Sequence, residues 1–98
     1  NDFRLTQRSI ERLLSERRLG IRGVIGKLHQ LGLSASLAEV RQYFSEDTEW
    51  ELARQLLEKK FPARTTDTCD KIGRFLANRG FSAAIVSRIV EECRKHQY

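Results

Sequence analysis

The sequence predicts an all-α protein of two tandem three-helix repeats, six helices in an elongated arrangement. Three observations carry that expectation. First, one pattern occurs twice: Ile25-Gly26-Lys27-Leu28 leading to Gly32-Leu33-Ser34-Ala35-Ser36-Leu37 returns as Ile72-Gly73-Arg74-Phe75 leading to Gly80-Phe81-Ser82-Ala83-Ala84-Ile85, displaced by 47 to 48 residues. Upstream, Leu14-Ser15-Glu16-Arg17-Arg18-Leu19 is echoed by Leu56-Leu57-Glu58-Lys59-Lys60-Phe61 at a displacement of 42, so the second copy carries an insertion, Pro62 to Thr68. Units that match in pattern and differ in a loop stack on one another and share a core. Second, apolar residues recur at the helical period. Third, no segment alternates at period two, so no sheet is expected.

The elements follow in order. Asp2 is a candidate cap for a first helix to about Arg18, on which Phe3, Ile10, Leu13 and Leu14 fall within an arc of roughly 100°. Gly20 ends it. A second helix, Ile21 to Leu31, turns Ile21, Val24, Ile25 and Leu28 inward, and Gly32 supplies a left-handed stop. Ser36 with Glu39 three residues on forms a capping box, so a third helix starts at Ser34 to Ser36 and runs to Phe44 with Leu37, Val40 and Phe44 inward. Glu46, Asp47, Glu49 and Glu51 mark the start of a fourth helix, where the helix dipole favours negative charge, and that dipole suffices to explain them. This helix carries Trp50, Ala53, Leu56 and Leu57 to a stop before Pro62, because the residue ahead of proline resists helical geometry. After a loop from Pro62 to Thr68, a fifth helix from Asp67 to Asn78 buries Ile72, Phe75 and Leu76. Gly80 ends it, and Ser82 caps a sixth helix with Ile85, Val86, Ile89, Val90 and Cys93 in an apolar stripe. The repeats are thus expected at 1–45 and 46–98.

The 98 residues are enough for one small core with little to spare. Lys and Arg number 18 against 13 acids, a net charge of +5 and a pI near 9.7. That balance favours a polyanionic or acidic partner. Cys69 and Cys93 are too few for a disulfide framework or a zinc site, and read as two reduced, buried small hydrophobes in a cytoplasmic protein. No apolar run approaches the roughly 18 residues of a membrane span, and no signal peptide is visible. The chain has no Met, so Asn1 is not a translation start and the sequence reads as a piece of a longer chain.

Catalysis has no visible apparatus. His29 and His96 lack carboxylates or cysteines at ligand spacing, and no serine lies in a nucleophile motif, so neither an enzyme nor a cofactor is expected. Two basic constellations remain. Arg4, Arg8, Arg12 and Arg18 project opposite the apolar arc of the first helix, with Arg17, Arg22 and Lys27 following in sequence. Lys59, Lys60, Arg64, Lys71, Arg74 and Arg79 form a comparable group in the second repeat. Such stripes suit phosphate contact, and an ordinary solvated helical face is the alternative. Gly26 and Gly73 recur inside helices, where glycine costs about 1 kcal/mol relative to alanine. They are expected to mark close helix packing, with coincidence in a short match the alternative. A helix-turn-helix reader of bases is disfavoured. Its leading residues, Ser34 to Ala38 and Ser82 to Val86, include no Arg, Asn or Gln for bidentate base contacts.

The chain resembles the RecX family, small modulators of the bacterial RecA recombinase. The resemblance rests on Ser15-Glu16-Arg17-Arg18-Leu19-Gly20 with Val24-Ile25-Gly26-Lys27-Leu28, on Leu52-Ala53-Arg54 with Lys59-Lys60-Phe61, and on Lys71-Ile72-Gly73-Arg74-Phe75-Leu76 through Arg79-Gly80-Phe81-Ser82. It spans nearly the whole chain, and Ile21 departs from a proline frequent in the family. It implies the second and third of three family repeats, with the first removed. It also implies a curved, basic, monomeric protein lodging along the RecA filament on single-stranded DNA and inhibiting strand exchange, ATP hydrolysis and co-protease activity, in the regulation of recombination, DNA repair and the SOS response. DNA itself, single- or double-stranded, would be bound weakly and without sequence specificity. The residues alone leave two further readings open, a nonspecific nucleic-acid-binding helical module and a helical protein scaffold whose charge is incidental.

Overall fold

The computed structural model describes residues 2–62 and 66–95, with side chains described over 4–62 and 68–95. Six helices account for most of them: α1 (Asp2–Ser15), α2 (Ile21–Gln30), α3 (Leu37–Arg41), α4 (Glu46–Lys60), α5 (Thr66–Asn78) and α6 (Ala83–Lys95). There is no strand among the described residues. The side chains of Asp2, Phe3 and Asp67, and all of Arg64 and His96, lie outside the described part, so the expectations placed on them are not addressed. The helical period brings Ile10, Leu28, Val40, Leu57, Leu76 and Ile89, one from each helix, into a single buried cluster.

Several boundaries differ from expectation for identifiable reasons. Helix α1 stops at Ser15 because Arg17 takes a left-handed φ of 51°, so the break precedes Gly20. Gly20 is extended and stands as the N-terminal cap position of α2. Helix α3 is only five residues long and ends before Phe44. Its Ser36 cap and the Ser45 cap of α4 stand nine positions apart, accepting from Glu39 N at 3.2 Å and Thr48 N at 3.1 Å, and leave little room between them. Helix α5 begins at Thr66, so the preceding loop is shorter than expected. The Ser82 hydroxyl does not cap α6. It is buried without a partner, and the Ser82 amide is held by Glu49 instead.

Helices α2 and α5 end alike. Gly32 (φ 77°) and Gly80 (φ 81°) adopt the left-handed geometry that glycine tolerates. Leu33 N donates to Leu28 O at 2.9 Å, and Phe81 N donates to Leu76 O at 3.1 Å. Each bond closes a Schellman turn. Burial agrees with a displacement of 48: Ile21, Val24 and Leu28 are buried, as are Cys69, Ile72 and Leu76. This corrects the register suggested by the letters. Gly26 corresponds to Arg74 and Gly73 to Ile25, because the buried face rather than the identity of the glycine sets the alignment.

The cysteine expectation is also corrected. Cys69 near the start of α5 and Cys93 near the end of α6 form a disulfide with a Cα–Cα distance of 5.9 Å, well within the range such a bond spans. They are paired rather than separately reduced because α5 and α6 fold back on one another about the Gly80 turn.

Candidate functional site

The centre of the molecule is a joint where the start of α2 meets the α5–α6 turn. Gly20 N donates to Arg79 O at 2.9 Å, Arg22 N to Gly80 O at 2.8 Å and Gly23 N to Gly80 O at 3.2 Å. The approach requires bare backbone. A Cβ on Gly23 would lie 2.6 Å from Arg79 O, while one on Gly20 would collide with the Phe81 backbone and one on Gly80 with that of Gly23.

Beneath the joint sits Glu49, fully buried on α4. Its Oε2 accepts from Ile21 N at 3.0 Å and from Ser82 N at 3.1 Å, so one carboxylate meets the N-terminal ends of α2 and α6. Exposed backbone amides and the helix dipole make those ends favourable places for negative charge. Gly20 has no side chain with which to cap α2, and Glu49 does so from another helix. Its Oε1 pairs with Arg41 Nη1 at 2.8 Å, and Arg41 also donates to Phe44 O at 3.3 Å. The acidic run at the start of α4 therefore contains one residue with a different task from its neighbours. The available signal was spacing, since Glu49 stands three and four residues before the buried Leu52 and Ala53.

The basic candidates fall on α1, the turn after it, α2, the end of α4, and α5 with the turn after it. Arg4, Arg8 and Arg12 are exposed on α1, Arg17 and Arg18 in the following turn, and Arg22 and Lys27 on α2. Arg12 and Lys27 line one shallow cleft with Glu16 and Gln30. Arg17 donates to Gln55 Oε1 and so ties this turn to α4. In the other group, Lys59 and Lys60 are exposed at the end of α4, and Lys71 and Arg74 on α5. Lys60 and Arg79 flank the ring of Phe75, with Nζ at 5.9 Å and the guanidinium carbon at 5.2 Å from its centroid. Phe61 meets the same ring edge-on at 5.9 Å. One member of each group, Arg22 and Arg79, contributes backbone atoms to the joint.

The glycine expectations divide. Nothing lies within 4 Å of a Cβ on Gly26, so close packing there is overturned: this face of α2 is open. Gly73 lies against α6, where its Cβ would stand 3.2 Å from Val90 Cγ2. The glycines of closest approach are Gly20, Gly23 and Gly80, of which the sequence marked Gly20 and Gly80 only as helix stops and Gly23 not at all. Arg88 was likewise missed. Its guanidinium carbon lies 4.5 Å from the Trp50 centroid, in a groove shared with Glu46 and Asp47. Among the described residues, no group of three His, Cys, Asp or Glu side chains is placed to hold a metal, and no helix is long and apolar enough to cross a membrane.

The described residues form an all-helical body with an internal joint and charged outer faces. Residues 47–90 match the family model described as RecX, third three-helix domain. The match supports a RecX family member, and that family is one of regulatory proteins rather than a class of enzymes. No curated protein and no solved structure matches it.

Proposed function

We propose that this RecX-like regulator binds the RecA filament on single-stranded DNA and lowers its recombinase, ATPase and co-protease activities. The observation that carries the reading is the Gly20–Gly80 joint, where the backbones of Arg22 and Arg79, one from each basic group, enter a single contact in a body of net charge +5. A filament groove lined with acidic side chains and phosphates attracts such a body over several ångströms. Extents of 54 × 20 × 17 Å suit a protein that lies along a groove rather than across it. Residues 1–45 and 46–98 act as tandem three-helix repeats, divided where the Ser45 cap begins α4. The protein works as a cytoplasmic monomer and touches DNA weakly, through phosphates and without reading bases.

The test is a titration of RecA ATPase on single-stranded DNA. A dose-dependent fall in ATP turnover is expected, with the protein co-sedimenting with filaments. Salt-dependent binding to bare DNA without any change in turnover would assign the basic body to a nonspecific nucleic-acid module instead. Indifference to both DNA and filament would leave a protein scaffold.

A further inference from the structure

The α5–α6 hairpin is held very differently at its two ends. At the turn, Gly80 receives two amides from α2, Ser82 N is held by Glu49, and the backbones of Arg79 and Phe81 are packed against Gly20 and Gly23. At the open end, the Cys69–Cys93 disulfide joins the first turns of α5 to the last turn of α6. Beside it stands the Asp70–Arg94 pair at 3.4 Å, with both side chains largely exposed. An exposed pair of this kind contributes little.

We propose that Cys69 and Cys93 are a reversible thiol–disulfide clamp, closed by small disulfides of the oxidised-glutathione class and opened by dithiols. The sulfurs belong to residues only 1% and 4% exposed, so exchange with a small molecule requires the helix ends to separate. Their position permits this, because helix ends open locally at far lower free energy than a whole domain unfolds. The closing chemistry balances in two steps. The thiolate of one cysteine attacks a sulfur of the small disulfide, forming a mixed disulfide and expelling one small thiolate. The thiolate of the other cysteine then attacks the protein sulfur of that mixed disulfide, forming the Cys69–Cys93 bond and expelling the second small thiolate. Two electrons pass from the cysteines to the small disulfide, and the two thiol protons end on the released small thiols. In a reducing compartment cysteines are held as thiols, so a pair that closes only under oxidising conditions has the pattern of a sensing rather than a permanently structural bond.

The experiment uses the full chain without denaturant, equilibrated over a series of reduced-to-oxidised glutathione ratios, quenched in acid, then alkylated and weighed. The expected result is two forms, one alkylated twice and one not at all, interconverting along the series and returning on addition of dithiothreitol. The closed form should melt about 10 to 20 °C higher, the consequence of closing a loop of this length in a small domain. Amide exchange at 68–72 and 91–95 should rise at least about tenfold in the open form, while 79–82 stays protected. A Cys93→Ser variant, kept reduced, should match the open form in melting and amide exchange. Closure only in denaturant, a mixed disulfide that persists, or equal melting and exchange in the two forms would overturn the proposal. Should the variant fold poorly, the parent series alone decides between these outcomes.

Discussion

Glu49 on α4 and Ile21 on α2 are joined by a buried hydrogen bond of 3.0 Å between a carboxylate oxygen and a helix-starting amide, across 28 positions of sequence. The bond makes the start of one helix depend on a charge held by another. With Ser82 N and Arg41 on the same carboxylate, Glu49 holds three partners from three other segments of the chain.

Glu49→Ala should therefore be costly. It leaves the Arg41 guanidinium without its buried partner and two amides without an acceptor. Removing one member of a buried pair typically costs about 3 to 5 kcal/mol, a large share of the roughly 5 to 15 kcal/mol that holds a domain together. A fall in melting temperature of at least about 12 °C is expected. A urea titration giving less than about 1 kcal/mol of destabilisation would contradict this account of the joint.

The glycines should separate by environment. Gly26→Ala fills open space on a helix and should stabilise by about 0.5 to 1 kcal/mol, through better helix propensity and a less free unfolded chain. Gly73→Leu must displace Val90 and should destabilise by about 1 to 3 kcal/mol. Gly23→Ala drives a methyl group toward the Arg79 carbonyl and should loosen the joint. Thermal melting of the three variants checks the order: Gly26→Ala above the parent, the other two below it.

Arg88→Ala should change the environment of the sole tryptophan with little effect on stability. The guanidinium lies over Trp50 at 4.5 Å on an exposed surface, where such contacts contribute about 0.5 to 1 kcal/mol. A shift in Trp50 emission is expected, with the midpoint of urea unfolding barely moved. Unchanged emission would mean that the stack does not persist in solution.

The basic surface is checked by charge reversal. Replacing Arg4, Arg8 and Arg12 together by Glu should leave the fold intact, since exposed substitutions usually change stability by about 0.5 kcal/mol each. Binding to single-stranded DNA and to filaments should weaken most at low salt. Removing each cation that meets a phosphate should flatten the dependence of log affinity on log salt by about 0.7. The same exchange at Lys71 and Arg74 checks the other group. Parental affinity in both variants across a salt series would make these cations ordinary solvated surface.

The helices were legible because local chemistry specifies them. Ser36 caps, Gly32 and Gly80 stop, and the apolar spacing of α2 and α6 reports their buried faces directly. The register between the similar segments comes out one residue off in the sequence, because matching Gly26 to Gly73 weighs letters above the buried face of Val24 and Ile72. The joint was illegible for a different reason. Whether Gly20 and Gly23 meet Phe81 and Arg79 is decided by tertiary approach, and a helix interrupted by glycine looks the same with or without a neighbour. The cysteine pair did leave a trace. Cys69 and Cys93 stand twelve positions either side of Phe81, the symmetry that sets two residues face to face in a helical hairpin. Among the basic candidates, exposure followed from the helical period, but the pairing of Lys60 and Arg79 on Phe75 required the fold.

The left-handed turn at Gly80 is occupied by Gly20 and Gly23, and the similar turn at Gly32 offers its backbone to solvent. At the displacement of 48, the positions of Gly20 and Gly23 are held by Thr68 and Lys71. Both carry the Cβ that this contact forbids. A second copy of the chain presenting residues 68–71 to the free Gly32 turn would be refused by its own side chains. The glycines that close the internal joint are thus absent from the residues 68–71 that a head-to-tail copy would bring to the Gly32 turn.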